Sequence, residues 1–239
     1  LNALPWNLLD AGEPAEAEAV ALRLQRAFPD SARGYAAQAG ALLNAGRLAE
    51  ASVPAARALA MAPEDNLGRT MNGFLYYALG DFERVLALRT DRLRDPALIG
   101  LGRVDEAVTA ARSDTAAAPA DRSAATILLF TLSQAGRHDA VLPLYRERWG
   151  DLEGLNADYG PGESGVQAPI AIAQKALGEQ RALAETLTHW RERLDFKRAQ
   201  GHAGRSFRTT EARYLALAGE RAAALMALTE AIDLGTRDP

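Results

Sequence analysis

Seven glycines recur along this chain at a near-constant spacing. Three of their six intervals are 34 residues long, two are 42 and 41, and one is only 22. We call them the joint glycines: Gly12, Gly46, Gly80, Gly102, Gly136, Gly178 and Gly219. A fixed period of this length is typical of chains that use one supersecondary unit many times, each unit needing its neighbours to bury its apolar face. The spacing therefore constrains the fold more than any other feature.

The neighbours of the joint glycines recur as well. An apolar residue stands five positions after each of them: Ala17, Ala51, Val85, Ala107, Val141, Leu183 and Ala224. Prolines lie seventeen positions after three of them, at Pro29, Pro63 and Pro119, and Pro96 lies one short of that offset after Gly80. Glycine can adopt a positive φ at a helix C-terminus, and proline cannot continue a helix. The pattern predicts pairs of helices, turned at each glycine and ended by each proline.

Composition favours helices throughout. The chain has 51 alanines among 239 residues, 48% hydrophobic residues and only 6% aromatic residues, so we expect an all-α fold. It has no cysteine, which excludes disulfides, thiolate metal sites and cysteine nucleophiles. The net charge of −4 argues against a nucleic-acid partner, and no apolar run is long enough to span a membrane.

The repeated positions resemble the tetratricopeptide repeat family. The best-fitting unit runs from Ser31 to Asp65 and carries the family's pattern at Tyr35, Ala39, Leu42, Gly46, Ala51, Ala58 and Pro63. The last unit fits similarly, with Gly219 followed by Ala224, Leu228 and Ala231. The resemblance implies one domain over 1–239, a right-handed superhelix of antiparallel helix pairs in about seven units. The expected units are 1–30, 31–64, 65–95, 96–120, 121–149, 164–198 and 205–235.

Three segments depart from the pattern. Because only 22 residues separate Gly80 from Gly102, we expect a leading helix to be mostly lost near 95–101, where 95–100 supplies at most a turn or two. Glycine, proline, aspartate and asparagine between Trp149 and Ser164 predict a long loop that bulges over 150–163. Turn residues predict a further break between Ala199 and Arg205.

The resemblance also implies a binding groove, because the concave face of such arrays commonly binds peptides or protein surfaces. The matching positions, on the leading helix of each pair, are Gly40, Leu43, Asn44, Phe74, Tyr77, Ala78, Phe130, Ser133, Gln134, Ile172, Lys175 and Arg213. Aromatic side chains with polar neighbours are plausible peptide anchors. The alternative is that Phe74 and Phe130 only fill space where the superhelix narrows. The groove lacks the lysine, arginine and asparagine cluster with which the family's chaperone-tail binders hold a terminal carboxylate.

No pattern of catalytic, cofactor-binding or metal-binding residues emerges, so we expect no enzyme. His138, His189 and His202 lack the spacing of a helical metal pair. The segment around Ser164 lacks the strand and spacing of a nucleophile elbow, and we interpret this serine as a helix cap. Four loop residues lack the order of a calcium loop, and we interpret them as solvated turn formers: Asp151, Glu153, Asn156 and Asp158.

The sequence supports two functional hypotheses. The first is a non-catalytic bacterial scaffold that binds a protein or peptide in the groove, as the repeat region of a larger signalling or regulatory protein. The second is a small-ligand sensor with a pocket in the irregular 80–102 region, formed by Tyr76, Tyr77, Arg89, Arg92 and Arg94.

Three further expectations concern partners and compartment. Residues 191–213 carry a net charge of +4, which either attracts an acidic partner or forms a solvated face. An uncapped end of the array would favour self-association. We expect a cytoplasmic protein, or a periplasmic one if a leader has been removed before Leu1.

Overall fold

The chain is all-helical wherever its structure is described. The computed structural model describes residues 4–159 and 165–235, and for residues 4, 91 and 92 it describes the backbone alone. Over these residues the chain forms fifteen helices and no strand, which confirms the all-α expectation. The first eight are α1 (Leu4–Ala11), α2 (Pro14–Ala27), α3 (Ala32–Asn44), α4 (Leu48–Met61), α5 (Asn66–Ala78), α6 (Phe82–Ala87), α7 (Asp91–Gly100) and α8 (Val104–Ala117). The other seven are α9 (Arg122–Gln134), α10 (His138–Trp149), α11 (Leu152–Tyr159), α12 (Gln167–Ala176), α13 (Gln180–Ala199), α14 (Arg205–Leu217) and α15 (Arg221–Asp233).

All seven joint glycines turn the chain as their spacing predicts. Each follows a helix by one or two residues and has a φ between +68° and +86°. At Gly46, for example, the glycine N–H donates to the Leu43 carbonyl and the Arg47 N–H donates to the Leu42 carbonyl, at 3.1 and 2.9 Å. These two bonds satisfy carbonyls that the end of α3 would otherwise leave without an intrahelical donor. The predicted role of these glycines is confirmed.

Proline ends three helices as predicted, but not a fourth. Pro29, Pro63 and Pro119 each lie two residues beyond the end of α2, α4 and α8. Pro96, in contrast, lies inside α7. Its ring is accommodated one turn and a half into the helix, so the predicted stop at this position is wrong.

In the irregular 80–102 segment, the shortened helix is α6 and not α7, the leading helix that we expected to be mostly lost. The ten-residue α7 is present, whereas α6 has only six residues. Burial of Leu93, Ala97 and Leu98 stabilises α7, since these residues line one face of it. The helix therefore extends well beyond the turn or two expected over 95–100. Arg89, with a φ of +53°, ends α6 in the left-handed region.

The predicted loop after Trp149 contains a helix. Its first turn is capped by Asp151, whose Oδ1 accepts a hydrogen bond from the Gly154 N–H at 2.9 Å. The eight residues of α11 come next, and Leu155 is buried in the same core as Trp149. The loop prediction is wrong over 152–159, and 160–163, with Ser164, lie outside the described residues. The break at 199–205 is confirmed, since α13 ends at Ala199 and α14 begins at Arg205.

The chain's contacts divide it into two compact units. Unit 1 comprises the described residues of 4–101, 202–209 and 228–235. Its largest core combines small residues of α3 and α4 with Leu42, Met71 and Leu75. Unit 2 comprises 102–159, 165–201 and 210–227, and its core includes Leu129, Leu142, Trp149 and Ile170. Small residues on facing helices let backbones approach closely, which explains the alanine content.

Candidate functional site

Unit 1 contains a cavity of about 380 Å³, which we call the unit 1 cavity. Its walls come from α1, α3, α5, the starts of α4 and α14, and the turn after α15. The lining residues are Trp6, Leu9, Asp10, Gly40, Leu43, Asn44, Leu48, Met71, Phe74, Tyr77, Ala78, Arg205, Ser206 and Gly235. This volume lies within the range of about 300–1,000 Å³ that is typical of ligand pockets.

All six groove positions predicted in the second and third units line this cavity. Gly40, Leu43 and Asn44 come from α3. The corresponding residues of α5 are Phe74, Tyr77 and Ala78. Residues three and four apart share a helix face, so each triplet presents one surface. The structure thus brings together residues that the family resemblance assigns to one groove; their role in binding stays a prediction.

The apolar part of the wall includes three aromatic side chains among its eight residues. Trp6, Met71, Phe74 and Tyr77 contribute to it, and the Tyr77 ring meets Phe82 edge to face with 5.4 Å between centroids. Gly40 is essential to this arrangement, because a Cβ placed there would lie 2.8 Å from Cζ3 of Trp6. The absence of a side chain at Gly40 therefore allows the indole to lie against α3.

The polar part of the wall comes from both ends of the sequence. Arg205 donates from Nη1 to the carbonyls of Leu43 and Gly235, at 3.4 and 3.3 Å. The Asp10 carbonyl accepts hydrogen bonds from the N–H groups of Ala203 and Gly204, at 3.3 and 3.1 Å. Asn44 donates from Nδ2 to the Gly40 carbonyl at 3.0 Å. The wall therefore carries one cationic and one anionic side chain beside the aromatic surface.

Sequence reasoning missed Trp6, Asp10 and Arg205. Arg205 lies 162 positions from Leu43, and no local periodicity connects the two. A signal did exist for Gly204, because glycine suits a close backbone approach: a Cβ there would overlap the Leu9 carbonyl oxygen. That signal indicates crowding but does not identify the neighbour.

The remaining groove residues belong to unit 2. Phe130, Ser133 and Gln134 lie on α9, Lys175 lies on α12 with Ile172, and Arg213 lies on α14. Gln134, Lys175 and Arg213 are exposed, and Lys175 donates from Nζ to the Leu217 carbonyl at 3.5 Å. None of these residues lines the unit 1 cavity. Their assignment to a binding groove stays a prediction.

The residues of the alternative pocket have separate partners. Tyr76 carries the Arg84 guanidinium over its ring at 5.4 Å. Arg94 donates from Nε to the fully buried Asp95 carboxylate at 2.7 Å, and Tyr77 lines the unit 1 cavity. The Arg92 side chain lies outside the described residues. A ligand site formed by these residues stays a prediction.

The basic stretch over 191–213 is extensively paired within each unit. Arg191 pairs with Glu220 at 2.9 Å, and Arg198 pairs with both Asp195 and Glu211. In unit 1, Arg208 pairs with Glu230 at 3.0 Å. Glu220 and Glu230 lie outside the stretch and compensate two of its cations, so it offers a weaker attraction to acidic partners than its net charge suggests.

The described chain shows no arrangement for metal binding. His189 lies 3.7 Å from Glu192 through Nδ1, but no group of three or more histidine, aspartate and glutamate side chains could hold an ion among the described residues. Within those residues, no helix has the length and apolar character needed to cross a bilayer.

No family model matches this chain, and no curated protein matches it in sequence.

Proposed function

We propose that this chain is a non-catalytic protein-interaction module that binds a peptide through the unit 1 cavity. The observation that carries the proposal is that six positions implied by the family resemblance line one cavity, whose wall includes three aromatic side chains. The proposal includes tetratricopeptide-like units stacked with a right-handed superhelical twist. The spacing of the seven joint glycines, all with positive φ, supports that part.

The cavity favours a peptide with one large apolar anchor residue. Eight of its fourteen lining residues are apolar or aromatic, among them Trp6, Met71, Phe74 and Tyr77. Aromatic residues in a concave surface are typical hot spots, because they exclude water around an inserted side chain. Asp10 and Arg205 carry opposite charges, so the wall favours neither an acidic nor a basic anchor.

Peptide display against the purified chain tests the proposal. Selected peptides should share a leucine, phenylalanine or methionine anchor, and replacing that anchor with lysine should abolish binding in a fluorescence anisotropy titration. The Phe74→Ala/Tyr77→Ala double variant should bind at least about tenfold more weakly, which corresponds to about 1.4 kcal/mol.

Phe28→Ala is the matched control for that double variant. Phe28 is 57% exposed in unit 1 and does not line the cavity, so its removal should leave peptide affinity unchanged. Far-UV circular dichroism should show equal helicity in all three proteins. The proposal fails if no peptide is enriched, or if the double variant binds as tightly as the Phe28→Ala control.

A further inference from the structure

Unit 2 contains a second cavity, of about 400 Å³, which we call the unit 2 cavity. Its walls are formed by α10, the start of α11, α12 and α13. Leu142 and Tyr145 provide an apolar side, and Asp151, Glu153, Gln174 and Thr186 provide polar groups. None of these residues belongs to the unit 1 cavity or to the predicted groove, so a ligand bound in the unit 2 cavity would be independent of the proposed function.

Two deeply buried polar side chains in this wall have no hydrogen-bond partner among the described residues. Gln174 is 5% exposed and Thr186 is fully buried. The Gln174 Oε1 and the Thr186 Oγ1 are the atoms left without a partner. A buried polar group has lost its hydrogen bonds to water, so native proteins usually pair it with a protein group, an ordered water or a ligand. Both residues line this cavity, so a hydrogen-bonding molecule bound there would lie beside two side chains that need a partner.

The charge of the wall is negative. Asp151, Glu153 and Glu185 provide three carboxylates against the single guanidinium of Arg146. Arg146 is already paired with Glu179 at 2.8 Å, and Glu185 is paired with Arg181 at 3.1 Å.

Two carboxylates of the wall remain uncompensated. In the described part of the chain, Asp151 and Glu153 have no ion pair, although Asp151 caps α11 through the Gly154 N–H. A cation in the cavity would therefore meet uncompensated negative charge together with the free amide oxygen of Gln174.

The spread of the acidic groups favours an organic cation over a metal ion. No set of three histidine, aspartate and glutamate side chains among the described residues comes close enough to hold one ion. An ammonium or guanidinium group presents several N–H donors to separate acceptors, and its alkyl stem can pack on an apolar wall such as that of Leu142 and Tyr145.

We propose that the unit 2 cavity binds an organic cation that carries a primary ammonium or guanidinium group. The carboxylates of Asp151 and Glu153 compensate its charge, and Gln174 accepts one of its hydrogen bonds. The same chemistry is available from a free small amine and from a lysine or arginine side chain of a partner protein. The test distinguishes these two sources.

Isothermal titration calorimetry of the whole chain tests the proposal with agmatine as the free cation and acetyl-Gly-Arg-Gly-amide as the peptide arm. Succinate serves as an anion of similar size. We expect saturable binding of at least one cation and none of succinate. Binding of agmatine identifies a free small cation as a ligand, whereas binding of the peptide alone identifies a partner's side chain.

Substitutions then test the site. Glu153→Gln removes one uncompensated charge from an exposed position and should weaken binding by about fivefold or more. Glu147→Gln is the matched control, since Glu147 is an exposed carboxylate of α10 outside the wall, and it should change affinity by less than about twofold. Gln174→Met keeps the side-chain size while removing the acceptor, and should also weaken binding. If Gln174→Met disturbs folding because the residue is buried, the comparison of Glu153→Gln with Glu147→Gln still tests the site.

Three results would overturn the proposal. They are the absence of saturable binding of either cation up to about 10 mM, succinate binding as tightly as the cations, and equal weakening by the Glu153→Gln and Glu147→Gln variants.

Incorporated 5-fluorotryptophan gives a second readout, because Trp149 lies beside Tyr145 with 6.5 Å between ring centroids, whereas Trp6 lines the unit 1 cavity. Cation binding should shift the Trp149 resonance and leave that of Trp6 unchanged.

Discussion

Trp149 donates its indole N–H to the Asp158 carboxylate across 2.8 Å, joining the end of α10 to the end of α11. Trp149 is buried in the unit 2 core, whereas Asp158 is exposed. The bond therefore connects a helix that the sequence pattern did not predict to the core against which it packs.

Asp158→Ala should destabilise unit 2 by about 1–2 kcal/mol. The substitution removes a charge-assisted hydrogen bond and leaves the buried indole N–H without its acceptor. Urea unfolding followed by tryptophan fluorescence measures the change. Asp158→Asn keeps an acceptor oxygen and should lose less than half as much. Equal losses in the two variants would show that the bond contributes nothing.

Gly136→Ala should cost about 1 kcal/mol for purely conformational reasons. Gly136 has a φ of +69°, and a Cβ added there would meet no atom of the described residues within 4 Å. The penalty therefore comes from placing a side chain in the left-handed region. It is partly offset because alanine lowers the conformational entropy of the unfolded chain. Gly136→Asn should cost less, because asparagine tolerates this region.

Gly165→Ala is the control for that substitution. Gly165 also has open space around its Cβ position, but it does not have a positive φ. Its thermal unfolding midpoint should stay the same or rise slightly. A midpoint that falls equally in Gly136→Ala and Gly165→Ala would contradict the conformational explanation.

The stability of the chain should fall between pH 10 and 12, and Tyr145 should account for part of that loss. Burial, assisted by the negative charge of Asp151, raises the pKa of Tyr145 to about 12 from its ordinary value of 10.0. The unfolded chain therefore releases this proton first as the pH rises. The stabilisation that the neutral Tyr145 side chain contributes is fully present below pH 10 and is lost as the pH approaches 12. Urea midpoints at pH 9 and 11 measure the loss.

Tyr145→Phe tests this assignment, since phenylalanine has no proton to release. The variant's urea midpoint should fall less between pH 9 and 11 than that of the unchanged chain. An identical fall in both proteins would show that other groups cause the whole pH dependence.

Self-association stays a prediction, and α15 offers a way to test it. Met226 is 66% exposed on this helix, beside Leu225 at 56%. If this surface joins two copies, light scattering should show a mass that rises with concentration, and Met226→Glu should abolish the rise. Val53→Glu is the control, since Val53 is 74% exposed on α4. A constant monomer mass in the unchanged chain would rule out the association.

Local physics explains which parts of the fold could be predicted. Positive φ at the joint glycines and helix termination near Pro29, Pro63 and Pro119 depend on the residue itself and its immediate neighbours. The expectations of a loop over 150–163 and of a mostly lost helix near 95–101 failed because packing against neighbours in space outweighed turn-forming composition. Burial of Leu155 and Leu93 stabilises α11 and α7, although aspartate, asparagine, glycine or proline within those segments favours loops.

The sequence by itself determined the all-helical composition, the positions of the seven turns and one face of a cavity, because spacings of three and four residues place side chains together on a helix. Only the tertiary structure decided what closes that cavity, since Trp6 and Arg205 reach it from distant parts of the chain. It also decided that Gln174 and Thr186 are buried without partners in the described structure. Burial depends on which helices pack together, and contacts between distant segments leave no period in the sequence.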